Sequence, residues 1–210
     1  AYALFNIGTD EYTHSAHTYW DLHNKYNLYG TELNASVELI NDLWAHNYRA
    51  IDNCNVGIER IPKIDDALGF MRTEEGRNQR EAELRFLRAY YYFMLVQQFG
   101  PLPLTLEPVT SLVLEWERAP LADVYQAIID DWTFAAEHLP EVQSDYGRAT
   151  ANAARHYLAK AYLTRASAVN EDRGAQPDDL QKAAEYAEAA INSGANSLLD
   201  NYADIWDINN

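Results

Sequence analysis

Only one cysteine, Cys54, occurs in the 210 residues, so no internal disulfide is possible. It falls inside a helical pattern and reads as a small buried residue rather than a nucleophile. Basic residues are also scarce. Lys and Arg total 16 against 32 Asp and Glu, which leaves a net charge of −16. Such a chain lacks the basic face that nucleic-acid binding needs. Its protein charge would not dock it on an anionic lipid surface either. Neutral sugars need no charge complement and stay open as ligands. No run is apolar and long enough to span a bilayer, and no signal-peptide pattern opens the sequence. There is no Gly-rich phosphate loop, no G-x-S-x-G elbow and no H-E-x-x-H pair. No catalytic residue, metal or cofactor is expected.

What is present is apolar and aromatic. The chain is 48% hydrophobic, with Tyr 15 and Trp 5. That composition suits one compact domain or one lobe of a larger one. The opening at Ala1 without Met, and the end at Asn209-Asn210 straight after an aromatic segment, read as a fragment of a longer chain.

The organising stretch is Glu81 to Pro108. Ala82, Phe86, Ala89, Phe93 and Val96 recur at alternating steps of four and three, one face of a helix. Leu84, Leu87, Tyr91, Met94 and Leu95 fill much of the remainder, which predicts burial on more than one side. Gly100, Pro101 and Pro103 stop the helix near Phe99 and lead into a proline-paced extended segment. Other helices are expected over Thr31–Ile61 (capped by Thr31 or Asn34, ended by Pro62), Leu121–Leu139, Thr150 to about Val169, and Leu180–Asn192. In the fourth, Ala154, Leu158, Ala161, Tyr162 and Arg165 mark the packed face. In the last, Ala183, Ala184, Ala187, Ala190 and Ile191 are small or apolar. Ala1 to Gly30 reads as aromatic-rich loop with short helical turns.

Helices in pairs, with small residues where they meet, predict a repeat. Thr150 to Ser193 has the character of a tetratricopeptide unit, although its internal loop is longer than the standard unit of about 34 residues allows. The expected fold is all-α: a tetratricopeptide-like helical-repeat scaffold over 31–210 with irregular loops.

Several stretches also resemble a known family. Glu81-Ala82-Glu83, Arg85-Phe86-Leu87-Arg88-Ala89, Tyr91-Tyr92-Phe93 and Phe99-Gly100-Pro101-Leu102-Pro103-Leu104 resemble the signature helix of the SusD/RagB family. These are surface nutrient-binding lipoproteins of the Bacteroidetes outer membrane. Leu84 is a one-residue departure from the pattern, and Leu102 replaces the usual Val or Ile. Gly147-Arg148-Ala149-Thr150, followed by Ala153-Ala154 and Leu158 to Leu163, is a second match. Trp44, Tyr48, Ile51 and Asn55 fit a third. The resemblance implies the N-terminal part of such a protein, with the C-terminal part of the family's domain absent. It implies a lipid anchor, not present in this chain, that holds the protein on the outer face of the outer membrane. It implies capture of an oligosaccharide or other nutrient and delivery to a SusC-like TonB-dependent transporter, with no bond cut.

The candidate ligand residues are Tyr12, Tyr19, Trp20 and Asn24, in the aromatic opening. Sugar faces pack on Trp and Tyr rings while amides bond the hydroxyls. The bland alternative is that these rings pack on helices. His14, His17 and His23 are close enough to suggest a metal, but without a Cys partner they read as solvated or hydrogen-bonded loop residues. Asp130-Asp131, Glu74-Glu75 and Asp65-Asp66 read as solvated faces or helix N-terminal charge rather than a glycosidase pair. Arg85, Arg88 and Arg148 read as structural, bonding carbonyls or Glu81 and Glu83. The competing function is a helical-repeat scaffold that binds protein and no sugar.

Overall fold

A computed structural model of the chain describes residues 30, 31, 34, 37–64 and 69–206. By its internal contacts the chain divides into two compact units, Ala1–Arg49 and Ala50–Asn210. The described part of the first unit is the opening of helix α1 (Glu38–Arg60) and the turn before it. There the Asn47 amide donates to the Leu43 carbonyl at 2.6 Å, and the Trp44 and Tyr48 rings lie 4.8 Å apart. The helix starts at Glu38, later than the Thr31 that periodicity predicts. Asn34 is spent on a turn, its amide donating to the Thr31 carbonyl. The carbonyl of Val37, not of Asn34, receives the first helical bond, from Asn41 N–H.

The second unit holds the rest of α1, then α2 (Glu74–Phe99), α3 (Leu121–His138), α4 (Ala151–Ala166) and α5 (Asp179–Asn192). Among the described residues there is no β-strand, only an isolated antiparallel bridge between Leu102 and Ala119. Each of α3, α4 and α5 packs on the helix before it. The expected all-α repeat scaffold is therefore what the chain builds.

The ends of α2 follow from side-chain chemistry. Thr73 caps the start, its Oγ1 accepting from Gly76 N–H at 3.0 Å. Glu74 and Glu75 sit in the first turn, where they complement the helix dipole. Gly100 ends it at φ 67°, in the region that favours glycine. Ala82, Phe86, Ala89, Phe93 and Val96 are all buried, and so is a second row of Arg88, Tyr92 and Leu95. Burial does not run right round, however: Leu87 is exposed.

The aromatics of α2, α3 and α4 largely form the core. Trp132 is fully buried and its indole N–H donates to the Phe86 carbonyl at 3.2 Å. Its ring stacks on Tyr157 at 5.0 Å and meets Phe93 at 5.4 Å. On α4, Ala154, Leu158, Ala161, Tyr162 and Arg165 are buried as their spacing predicts.

Two expectations about helix ends and faces are corrected. Helix α4 stops at Ala166, three residues before Val169. The Thr164 carbonyl is taken by Ser167 Oγ and by Arg173 Nη1, so no further turn is needed to satisfy it. On α5 only Asp179 and Ala183 are buried, while Leu180, Ala184 and Ile191 are exposed. Its small apolar residues therefore do not all mark a packed face.

Candidate functional site

The most built-up polar assembly of the second unit lies where α2 meets α3. Arg88 on α2 is buried, and charge there demands a partner. Asp131 on α3, only 3% exposed, supplies it. Arg88 Nε donates to Asp131 Oδ2 at 2.7 Å and Nη2 to Oδ1 at 2.8 Å, a bidentate fork. The remaining donor, Nη1, reaches Asn55 Oδ1 on α1 at 2.8 Å and the Leu106 carbonyl at 3.0 Å. Arg85 adds a longer bond to Asp131 at 3.4 Å, bonds Glu81 at 2.7 Å, and lies over the Phe134 ring.

Burial favours the neutral form of Asp131 and raises its pKa, although the Arg88 bonds pull the other way. Burial also works against the Arg88 charge, but bonding to Asp131 outweighs it and sets Arg88 above its ordinary value. The nearby Cys54 thiol is pushed up to about 11, mainly by burial. It is a buried, protonated thiol, as its helical setting suggests. The reading of Asp130-Asp131 as a solvated face is corrected for Asp131. It is a structural counter-ion with both oxygens engaged, and so is not free to act as acid or base.

This assembly fixes the segment that leaves α2. The Asn55 amide donates to the carbonyls of Thr105 and Glu107 at 3.0 and 3.1 Å. Tyr92 OH donates to the Thr105 carbonyl at 2.9 Å and accepts from Thr105 N–H at 2.8 Å. Val109 N–H donates to Asp52 Oδ1 at 2.9 Å. Thr105 to Val109 are thus held largely by their backbone.

Three surface depressions meet along the clamped segment, and Leu106 lines all of them. One, of about 340 Å³, is lined by Arg85, Asp123, Gln126 and Asp130 together with the apolar Leu104 and Ala127. One of about 470 Å³ is bordered by Asn55, Ile58 and Glu59. One of about 490 Å³ runs beside Thr110, Val113 and Trp116. None of these positions was among the candidate ligand residues. Trp116 is the residue whose type could have signalled the third.

A second assembly explains the Gly147-Arg148-Ala149-Thr150 motif. Gly147 adopts φ 86°. Arg148 donates to both oxygens of Glu83 on α2, at 3.0 and 2.5 Å. Thr150 caps α4, its Oγ1 accepting from Ala153 N–H at 3.2 Å. Burial raises the Glu83 carboxyl, against the pull of Arg80. Gly147, Arg148 and Thr150 thus have structural roles, and so do Arg85 and Arg88 in the first assembly, as expected for the three arginines.

Tyr12, Tyr19, Trp20 and Asn24 lie outside the described residues, as do His14, His17, His23 and Asp65-Asp66. Among the described residues no cluster of three or more His, Cys, Asp or Glu is placed to hold a metal. None of the helices described is long and apolar enough to cross a membrane.

The family model whose description reads "starch-binding associating with outer membrane" matches residues 2–163. The chain belongs to the SusD-like family. A SusD-like protein of Bacteroides ovatus is 33% identical over 182 residues, which are 85% of this chain and 32% of the relative. A protein crystallised with a xylogluco-oligosaccharide shares 28% identity at a TM-score of 0.73, covering 90% of this chain and 36% of that one. A laminarin-binding SusD-like protein, 24% identical, has the same fold at a TM-score of 0.80, covering 97% of this chain and 42% of that one. The chain spans about a third of the length of the curated relatives it matches.

Proposed function

We propose that this SusD-like chain is the helical scaffold, with an aromatic N-terminal segment, of a surface glycan-binding lipoprotein. It captures oligosaccharides and passes them to a SusC-type TonB-dependent transporter, without cutting them. The observation that carries this is the family match over residues 2–163, with a sugar-bound relative superposing on most of the chain. The family description supports an outer-membrane setting; a lipid anchor and the outward-facing side are part of the proposal.

Residues 1–30 supply ligand contacts in this reading, and residues 31–210 supply the frame. Trp20, Tyr19 and Tyr12 stack on sugar rings and Asn24 bonds hydroxyls. Non-catalytic capture fits the occupied state of Asp131, the most buried member of the acid pairs that are described.

Isothermal titration of the full-length protein with xylogluco- and laminari-oligosaccharides tests this. Trp20→Ala should weaken binding about tenfold, the equivalent of about 1.4 kcal/mol. Absence of binding to any oligosaccharide, with transporter association intact, would establish instead the protein-binding scaffold. Release of new reducing ends from the sugar would overturn the non-catalytic part.

A further inference from the structure

The connection between α2 and α3 has a second half that behaves unlike its first. Among the described residues, the backbone of Thr110 to Arg118 gives and accepts no hydrogen bond. From Leu112 to Arg118 the chain runs without helix, turn or bend. Its sequence, Leu112-Val113-Leu114-Glu115-Trp116-Glu117, is rich in the residue types that favour strands. Yet Leu112 is 86% exposed, Leu114 84% and Trp116 47%. An apolar segment with an unpaired backbone edge is a template for another strand. Pairing has already begun beside it, where Ala119 N–H donates to the Leu102 carbonyl at 2.7 Å within the antiparallel bridge. The preceding residues, Thr105 to Val109, are pinned, so the free half is presented from a fixed base.

The geometry points to residues 111–118 as a docking strand for an extended segment of a second protein, added by β-augmentation. Charge selects the partner. Glu107, Glu115 and Glu117 border the strand with Arg118 as the basic exception, in a chain of net charge −16. The incoming strand therefore alternates aliphatic residues with Lys or Arg. A second copy of this chain is disfavoured, because its own Glu115 and Glu117 would face like charges. The inference stands apart from the sugar-binding reading, since it rests on backbone and charge rather than on ring stacking.

The test uses the full-length protein and a fluorescein-labelled peptide alternating valine and lysine, with the valine–glutamate peptide as control. Anisotropy should show binding of the lysine peptide that weakens as salt rises. The double variant E115K/E117K should reverse the preference between the two peptides, and Val113→Pro, which removes a ladder donor, should weaken both about tenfold. Hydrogen exchange should show the 111–118 amides fast in the free protein and slowed by the peptide. Three results would overturn the proposal. One is slow exchange there in the free protein, meaning its own chain covers the strand. Another is peptide binding indifferent to E115K/E117K. The third is oligosaccharide binding abolished by Trp116→Ala, which would make the groove a sugar site.

Discussion

Two buried Arg–Asp pairs hold this scaffold, and they differ in what surrounds them. Arg88–Asp131 joins α2 to α3, and its spare donor continues to Asn55 and the Leu106 carbonyl. Arg165–Asp179 joins α4 to the first residue of α5, with bonds of 2.9 and 2.6 Å. Its spare donor goes to the Gln126 side chain, and Asp179 also accepts from Gln176 N–H. Burial raises Asp131. Burial would also raise Asp179, but its bonds from Arg165 and Gln176 prevail and hold it below the usual carboxylate range. The same chemistry thus serves two ends: the first pair anchors an irregular segment, the second fastens one helix start.

Removing Asp131 should separate the two most sharply. Asp131→Ala leaves Arg88 buried without a counter-charge and should cost about 3–5 kcal/mol in urea unfolding. It should also speed hydrogen exchange through Thr105 to Val109, a local signature that Asp179→Ala should not produce. Asp179→Ala should cost a similar amount, about 3–5 kcal/mol, because Arg165 is as buried as Arg88. A change at Thr105 to Val109 in both variants, or in neither, would erase the distinction.

Acid should act on the second pair in a defined direction. Asp179 has a depressed pKa when folded, so its stabilisation is fully present above the unfolded value of about 3.9 and fades as pH falls through the folded one. Asp179→Asn should flatten that acid limb of the stability profile. An unchanged limb would remove Asp179 from the account. Asn55→Ala should cost about 1–3 kcal/mol, since it removes the bond to the Glu107 carbonyl, one of two bonds to the Thr105 carbonyl and an acceptor of Arg88. The smallest effect is expected at the α4 cap, where Thr150→Ala should cost about 1 kcal/mol in the same unfolding experiment.

Periodicity carried most of this architecture. The stripe of Ala82, Phe86, Ala89, Phe93 and Val96 needs only its spacing to be read, because a helix turns by a fixed angle per residue. Thr73, Gly100 and Thr150 mark ends through local bonds, which the neighbouring sequence also encodes. Partners far apart in the chain are another matter. Arg88 announces by its place on an apolar helix that it needs an acid, but nothing local names Asp131, 43 residues on. Leu180 and Ile191 show the opposite failure: spacing reports that a face is apolar, not that something covers it. The sugar candidates Tyr12, Tyr19, Trp20 and Asn24 rest on residue type and stay proposals.

Cys54 gives the molecule its own reporter. It is the chain's only thiol, it is buried close enough to Arg88 and Asp131 to feel their charges, and its pKa of about 11 keeps it protonated near neutrality. A maleimide should therefore label the protein only during moments when α1 lifts from its neighbours. The rate of that labelling is a clock for how often the polar junction comes apart, with no engineered probe in place.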